Sequence, residues 1–191
     1  MSESRKPKVF IAGSRRLSRL NKTVEQRIDN ILGKHMTVIL GDANGADKAV
    51  QQYLHRLHYT NVVVFCMDGH CRNNVGDWPT RAIRPANPHK RDFAYYSTKD
   101  RAMTDEADYG LMLWDGKSRG TLTNILHLVR LAKPVVVYLA PDSSFHLLQN
   151  TGHLAKLLAN PEVAVAHGVD GELQPLAPGT ERRKSDTALL F

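Results

Sequence analysis

The stretch KVFIAGSR at residues 8–15 joins a short apolar run to a polar turn that contains glycine. An uninterrupted apolar run of this length is typical of a strand buried on both faces. Similar runs recur at 37–40, 61–66, 109–114 and 134–139, and helical patterns lie between them at 23–32, 45–57, 97–107 and 120–132. Buried strands that alternate with helices predict an α/β fold, in which a mostly parallel sheet has helices on both faces.

The domain organisation follows from where these patterns stop. Residues 1–140 are expected to form one domain, and 141–191 a C-terminal helix at 145–158 followed by an extended tail. The tail is rich in proline and glycine. The connection at 67–97 is long for a compact domain and is predicted to be an insertion or a lid, because loops of that length are usually functional or disordered.

Composition excludes several classes of protein. The chain has 191 residues, of which 42% are hydrophobic and 24% charged, so it can bury a hydrophobic core without disulfides or metals to stabilise it. It contains no apolar run of about 18 residues, so we expect no membrane span and no membrane partner. The N-terminus lacks the apolar region of a signal peptide. Two cysteines are too few for a disulfide framework, which favours a reducing, cytoplasmic environment.

The formal net charge of +7 is concentrated in two segments. Residues 1–22 carry seven Lys or Arg against one Glu, and 67–101 carry seven against four Asp. Positive charge gathered in this way suits an anionic partner, which is a nucleotide, another phosphorylated small molecule or a nucleic acid.

Three polar loops that contain glycine follow predicted strands, at 13–16, 41–47 and 114–121. Each alone is an ordinary strand-to-helix turn. Together they should meet at the carboxyl edge of the sheet, where glycine lets a phosphate approach the backbone and helix N-termini favour anions. None matches the Walker phosphate loop or the glycine fingerprint of dinucleotide dehydrogenases. The candidate ligand-binding and phosphate-binding residues are Gly13, Ser14, Arg15, Gly41, Asp42, Gly45, Gly116, Ser118, Gly120 and Thr121.

In sequence these loops resemble the SLOG superfamily, through VFIAGSR at 9–15, GDANGAD at 41–47 and WDGKSRGT at 114–121. The chain looks most like the YspA/YpsA-related branch, which is related to the LOG phosphoribohydrolases (lysine-decarboxylase-like proteins) and to the DNA-processing protein DprA. The resemblance covers roughly residues 7–140. It implies a Rossmann-like three-layer fold, binding of a nucleotide or nucleotide-derived ligand in a sensor or processing role, and homo-oligomers.

The resemblance leaves catalysis open. LOG enzymes cleave an N-glycosidic bond with the motif Pro-Gly-Gly-x-Gly-Thr-x-x-Glu, and here Gly120 and Thr121 match the Gly-Thr while Asn124 stands where the Glu would be. An asparagine cannot ionise, so it cannot act as a carboxylate base. If the chain is a nucleotide N-glycosidase acting on a nucleoside monophosphate, Asp115 at a strand end is the candidate catalytic carboxylate. Hydrogen bonding within its own loop is an equally good explanation of Asp115.

DprA-like nucleic-acid binding is a further alternative. Cations and aromatics interleave at Arg72, Trp78 and Arg81, a composition that suits base stacking, although Trp78 could also pack on its own domain. Cys66, His70 and Cys71 are poorly spaced for zinc. We therefore expect no metal and no cofactor.

Overall fold

The computed structural model describes residues 5–84 and 93–163. The strands are β1 (Lys8–Gly13), β2 (Thr37–Leu40), β3 (Val62–Met67), β4 (Thr80–Ile83), β5 (Tyr109–Trp114), β6 (Val135–Leu139) and β7 (Ser144–Leu148). The helices are α1 (Lys22–Gly33), α2 (Ala46–Arg56), α3 (Phe93–Glu106), α4 (Arg119–Arg130) and α5 (Thr151–Leu158).

The strands form one sheet in the order β4-β3-β2-β1-β5-β6-β7. Every neighbouring pair is parallel except β6 and β7. In register, Phe10 lies between Ile39 of β2 and Gly110 of β5, so β1 is at the centre. The strand order therefore reverses beside β1, between the half built from β2 to β4 and the half that begins at β5.

Two apolar clusters cover the two faces of the sheet. One packs α1 and α2 against the sheet, with Val24, Ile28 and Val50 fully or almost fully buried. The other packs α3, α4 and α5 against the opposite face and includes Met103 and Ile125. This arrangement confirms the predicted three-layer α/β fold with a mostly parallel sheet.

Two strands were not expected. The helix predicted at 145–158 is wrong in its first part, because residues 144–148 pair antiparallel with β6 and the helix begins only at Thr151. Phe145 and Leu148 are three residues apart, so in β7 they lie on opposite faces of the sheet and contact different apolar clusters. The short β4 lacks an apolar run, since most of its residues are exposed at the edge of the sheet.

The connection predicted as an insertion or lid at 67–97 contains β4 and the start of α3; its residues 85–92 lie outside the described part of the chain. Trp78 is only 7% exposed and donates its indole N–H to the Tyr59 carbonyl at 2.9 Å. Trp78 therefore packs on its own domain and is not presented for stacking on a base.

The two cysteines, Cys66 and Cys71, form a disulfide. Cys66 lies in β3 and Cys71 follows a tight turn in which Met67 pairs with His70. This turn brings the two Cα atoms to 4.9 Å, within the range that a disulfide spans. The bridge lies immediately before Arg72.

Among the described residues no helix is both long and apolar enough to cross a membrane. The tail predicted after residue 160 lies outside the described residues from position 164 onward.

Candidate functional site

A cleft of about 600 Å³ opens at the carboxyl ends of β1 and β5, where the strand order reverses. Ligands of open α/β sheets bind at such a switch point because the loops after the two strands diverge there. The volume is within the range of small-molecule sites.

The cleft is lined by residues from four loops and from α2, α3 and α4. Of the predicted site residues, Gly13, Arg15, Asp115, Ser118, Gly120 and Thr121 line it. Ser14, Gly41, Asp42, Gly45 and Gly116 are not among its lining residues. The lining also includes Ala12, Arg16, Ala43, Asp47, Arg72, Tyr96, Lys99, Asp100, Met103, Lys117 and Asn124, which were not predicted as site residues.

The turn after β1 is fixed by close packing. A Cβ atom on Gly13 would lie 2.3 Å from the Leu113 carbonyl oxygen, so only glycine lets β1 and β5 lie this close here. Ser14 is fully buried, and its backbone N–H donates to the Leu113 carbonyl at 2.9 Å. The serine thus connects the two central strands from behind the cleft surface.

Asp115 organises the loop after β5. Its Oδ1 accepts hydrogen bonds from the Ser14 hydroxyl at 2.9 Å and from the backbone N–H groups of Lys117 at 3.0 Å and Ser118 at 2.8 Å. Burial alone would raise the pKa of Asp115, but these donors hold it below its usual value. The carboxylate stays ionised, and one of its oxygens is used by its own loop.

Ser118 begins α4 by accepting a hydrogen bond from the Thr121 backbone N–H. The Thr121 hydroxyl donates to the Ser118 hydroxyl at 3.1 Å and lies 3.4 Å from that of Ser14. We call Ser14, Asp115, Ser118 and Thr121 the hydroxyl wall.

The same helix start offers open space to a ligand. A Cβ atom added to Gly120 would meet no other atom within 4 Å, although this residue lines the cleft. The backbone of the first turn of α4 can therefore be approached closely, and helix N-termini favour anions.

The opposite side of the cleft contains buried charges. Asp42 is 2% exposed and accepts hydrogen bonds from Lys99 Nζ at 2.6 Å and from Arg72 Nη2 at 2.8 Å and Nε at 3.2 Å. The Arg72 backbone N–H also donates to this carboxylate. We call Asp42, Arg72 and Lys99 the ion cluster. Burial would raise the pKa of Asp42, but Arg72 and Lys99 hold it well below its usual value.

The glycine-containing loop after β2 makes room for this cluster. A Cβ atom on Gly41 would lie 2.5 Å from Asp47 Oδ2 and 2.9 Å from Lys99 Nζ. Gly45 has a φ of +87°, and a Cβ atom there would meet the Arg15 backbone at 2.3 Å. These two glycines therefore position charged neighbours and the turn after β1.

Two further carboxyl groups lie in the cleft with raised pKa values. Burial is the main reason that the pKa of Asp47 rises to about 6; Lys99 opposes this rise and Asp100 reinforces it. Burial also raises the pKa of Asp100, against the lowering effects of Lys99 and of a hydrogen bond from the Asn124 side chain. Carboxyl groups with raised pKa values in a cleft are typical of functional sites.

Two arginines flank an aromatic ring at the cleft. The Arg15 guanidinium lies 5.9 Å from the centre of the Tyr96 ring, and that of Arg72 lies 5.3 Å from it. Both distances allow cation–π attraction. Within the described chain, Arg15 has no ion-pair partner.

One signal in the sequence could have predicted Lys99, which lines the cleft from α3. Lys99 precedes the buried Met103 by four residues, so a charged residue lies on the buried face of α3. A cation at such a position requires a buried partner. The helix itself is predicted at 97–107, but its side chains are not among the predicted site residues, which all lie in polar loops at strand ends.

Among the described residues no group of three or more His, Cys, Asp or Glu side chains is arranged to hold a metal ion. No model of a known protein family matches the chain, and no curated protein matches it either.

Proposed function

We propose that this protein binds a nucleotide or nucleotide-derived ligand in the cleft between β1 and β5. The observation that carries the proposal is the chemistry of the lining, in which five cationic side chains line the same cleft as an accessible helix start, at the switch point of the sheet. Such a cleft suits a phosphate group. The SLOG-like loops support the same function.

The phosphate end of the ligand belongs near Arg15, Lys117 and Gly120. Arg15 and Lys117 are cationic, and Gly120 leaves the α4 N-terminus open. Arg72 already forms an ion pair with Asp42, so its role is to position that side of the cleft and to contact the Tyr96 ring. A planar base can then stack against Tyr96.

Binding is tested by thermal shift and calorimetry with AMP, ATP, ADP-ribose and inorganic phosphate. A ligand that binds the native state raises the melting temperature by mass action. Arg15→Ala should weaken binding about tenfold or more, since a charge-assisted hydrogen bond contributes about 1.5–3 kcal/mol. Arg19→Ala, an exposed change in the same loop, is the matched control. No binding of any probe, or equal affinity in both variants, contradicts the proposal.

A second candidate function is hydrolysis of the N-glycosidic bond of such a ligand. The observation in its favour is that three carboxyl groups, those of Asp47, Asp100 and Asp115, line the same cleft as the cations. Glycoside hydrolysis uses carboxyl groups to transfer protons and to stabilise positive charge on the sugar. Chromatography of nucleoside monophosphates incubated with the protein tests this candidate, which predicts release of the free base.

A further inference from the structure

The disulfide between Cys66 and Cys71 lies next to the cleft, although neither cysteine lines it. The bridge closes the turn at 66–71, which we call the disulfide turn. Arg72, the residue that follows this turn, lines the cleft. The disulfide therefore fixes the chain at the point where it enters the wall of the cleft.

Arg72 is attached to Asp42 through both its side chain and its backbone. Its Nη2 and Nε donate to the Asp42 carboxylate at 2.8 and 3.2 Å, and its backbone N–H donates at 3.0 Å. That N–H belongs to the peptide group shared with Cys71, so its direction depends on where Cys71 is held. A shift of Cys71 therefore moves the guanidinium that contacts both Asp42 and Tyr96.

The disulfide turn also contacts α3, the helix that carries Tyr96 and Lys99 into the cleft. The Tyr95 hydroxyl donates to Asp68 Oδ2 of the turn at 2.7 Å. The ring of Tyr95 lies edge-on to that of Tyr96, with 5.0 Å between the ring centres. The turn is thus connected to the cleft through Arg72 on one side and through Tyr95 on the other.

The backbone of the disulfide turn has a conformation that benefits from a covalent link. Asp68 has a φ of +51° and Gly69 a φ of +78°, and residues other than glycine seldom adopt positive values. Residues 68–70 are exposed, so packing contributes little to holding them. Opening the bridge gives this segment conformational freedom that the link now removes.

We propose that Cys66 and Cys71 form a site of reversible thiol–disulfide exchange, and that the oxidised bridge holds the cleft in its ligand-binding form. The reactants that this site would take are dithiol reductants and, in the reverse direction, their disulfides. Reduction releases the disulfide turn, loosens Arg72 and weakens binding. The inference rests on the proposed ligand binding and adds a means of regulating it.

The burial of the two cysteines indicates which sulfur reacts first. Cys66 is fully buried in β3, whereas Cys71 is only partly buried. A thiolate of the reductant attacks the Cys71 sulfur, the S–S bond breaks, and its electron pair moves to Cys66, which takes a proton. The second thiol of the reductant then displaces Cys71, which also takes a proton. Two electrons pass to the protein, and the reductant leaves as its own disulfide.

Loosening of the segment is measured by amide hydrogen exchange without any ligand. The backbone N–H of Arg72 bonds to Asp42, and that of Val75 bonds to the fully buried Gln51 side chain at 2.9 Å. Both amides should exchange faster after dithiothreitol opens the bridge, because local opening exposes them. The Glu25 amide, which bonds to the Asn21 carbonyl in α1 away from the turn, should exchange equally in both states.

Coupling to the cleft is measured by calorimetry with AMP as the probe. Its affinity should fall about fivefold or more when the bridge is opened, which is the usual size of coupling between two sites. Coupling is reciprocal, so saturating AMP should raise by the same factor the ratio of reduced to oxidised dithiothreitol that half-reduces the protein.

Two variants assign these effects to the bridge. Cys71→Ala cannot form it, so this variant should bind AMP as the reduced protein does and should not respond to dithiothreitol. His70→Ala changes an exposed residue of the same turn and keeps both cysteines, so it should respond as the native protein does. If Cys71→Ala does not fold, the comparison of oxidised and reduced native protein still decides.

Equal exchange of the Arg72 amide in the two redox states overturns the inference, and so does AMP affinity that is independent of the bridge. Failure of the proposed function looks different: no probe of the cleft binds in either redox state, while the exchange of the Arg72 amide still reports whether the bridge holds this segment.

Discussion

The two sides of the cleft are held by different chemistry. The hydroxyl wall is built from neutral donors around Asp115, whereas the ion cluster buries Asp42 and Lys99 almost completely. The hydroxyl wall should therefore lose less stability when one hydrogen bond is removed, because the donor that is lost is a neutral hydroxyl and Asp115 keeps its backbone donors. The ion cluster does not tolerate such a loss, since removing one charge leaves another buried without compensation.

The largest effect is expected from breaking the ion cluster. Asp42→Asn leaves Lys99 Nζ buried without its 2.6 Å ion pair and should lower the free energy of unfolding by about 3–5 kcal/mol, measured by urea denaturation. Adding Lys99→Met to this variant should restore part of the loss, because the buried ammonium group that lost its partner is then removed. An Asp42→Asn variant as stable as Asp105→Asn would show that the pair contributes little.

The next largest effect is on the pH dependence of stability, and it involves Asp47 on the same side of the cleft as the ion cluster. The pKa of Asp47 is about 6 in the native protein and 3.8 as its ordinary value, so the native state holds the proton more tightly. The contribution of Asp47 to stability is therefore favourable below about pH 4 and is lost as the pH rises from about 4 to 6.

Asp47→Asn should flatten the fall in melting temperature between pH 4 and 7, with a difference of up to about 3 kcal/mol in unfolding free energy. Parallel pH profiles for the native protein and this variant would contradict the prediction. Asp105→Asn, whose side chain is exposed, should reproduce the native profile and is the control.

A smaller effect is expected from the hydroxyl wall. Ser14→Ala removes a buried hydroxyl that donates to Asp115 Oδ1 at 2.9 Å and accepts from the Asp115 N–H at 3.1 Å. We expect a loss of about 1–3 kcal/mol by urea denaturation. The pKa of Asp115 should rise because one of its donors is gone, and NMR titration of the carboxyl group can detect this. An unchanged pKa would mean that the backbone donors alone set it.

The smallest effect on stability should come from Gly120→Ala. No atom lies within 4 Å of the added methyl group, and alanine favours a helix, so stability should stay equal or rise by up to about 1 kcal/mol. Phosphate-containing ligands should nevertheless bind more weakly, because the methyl group projects into the cleft. Full affinity in this variant would show that the ligand does not approach the start of α4.

Much of the fold could be predicted because buried parallel strands have a local signature. The apolar runs of β1, β2, β5 and β6 can be recognised as strands from the local sequence, without knowing which strands they pair with. The edge strands β4 and β7 cannot be recognised in this way. Most residues of β4 are exposed, and the one buried residue of β7, Leu148, also fits a helical spacing.

By itself, the sequence determined the α/β class, the three polar loops and their position at one edge of the sheet. Tertiary structure alone decided which of those residues face the cleft. It buried Ser14 and Asp42 behind the surface and brought Lys99 and Asp100 from α3 into it. The physical reason is that a strand end is recognisable from neighbouring residues, whereas the buried charge of Asp42 is explained only by partners 30 and 57 residues away in the chain.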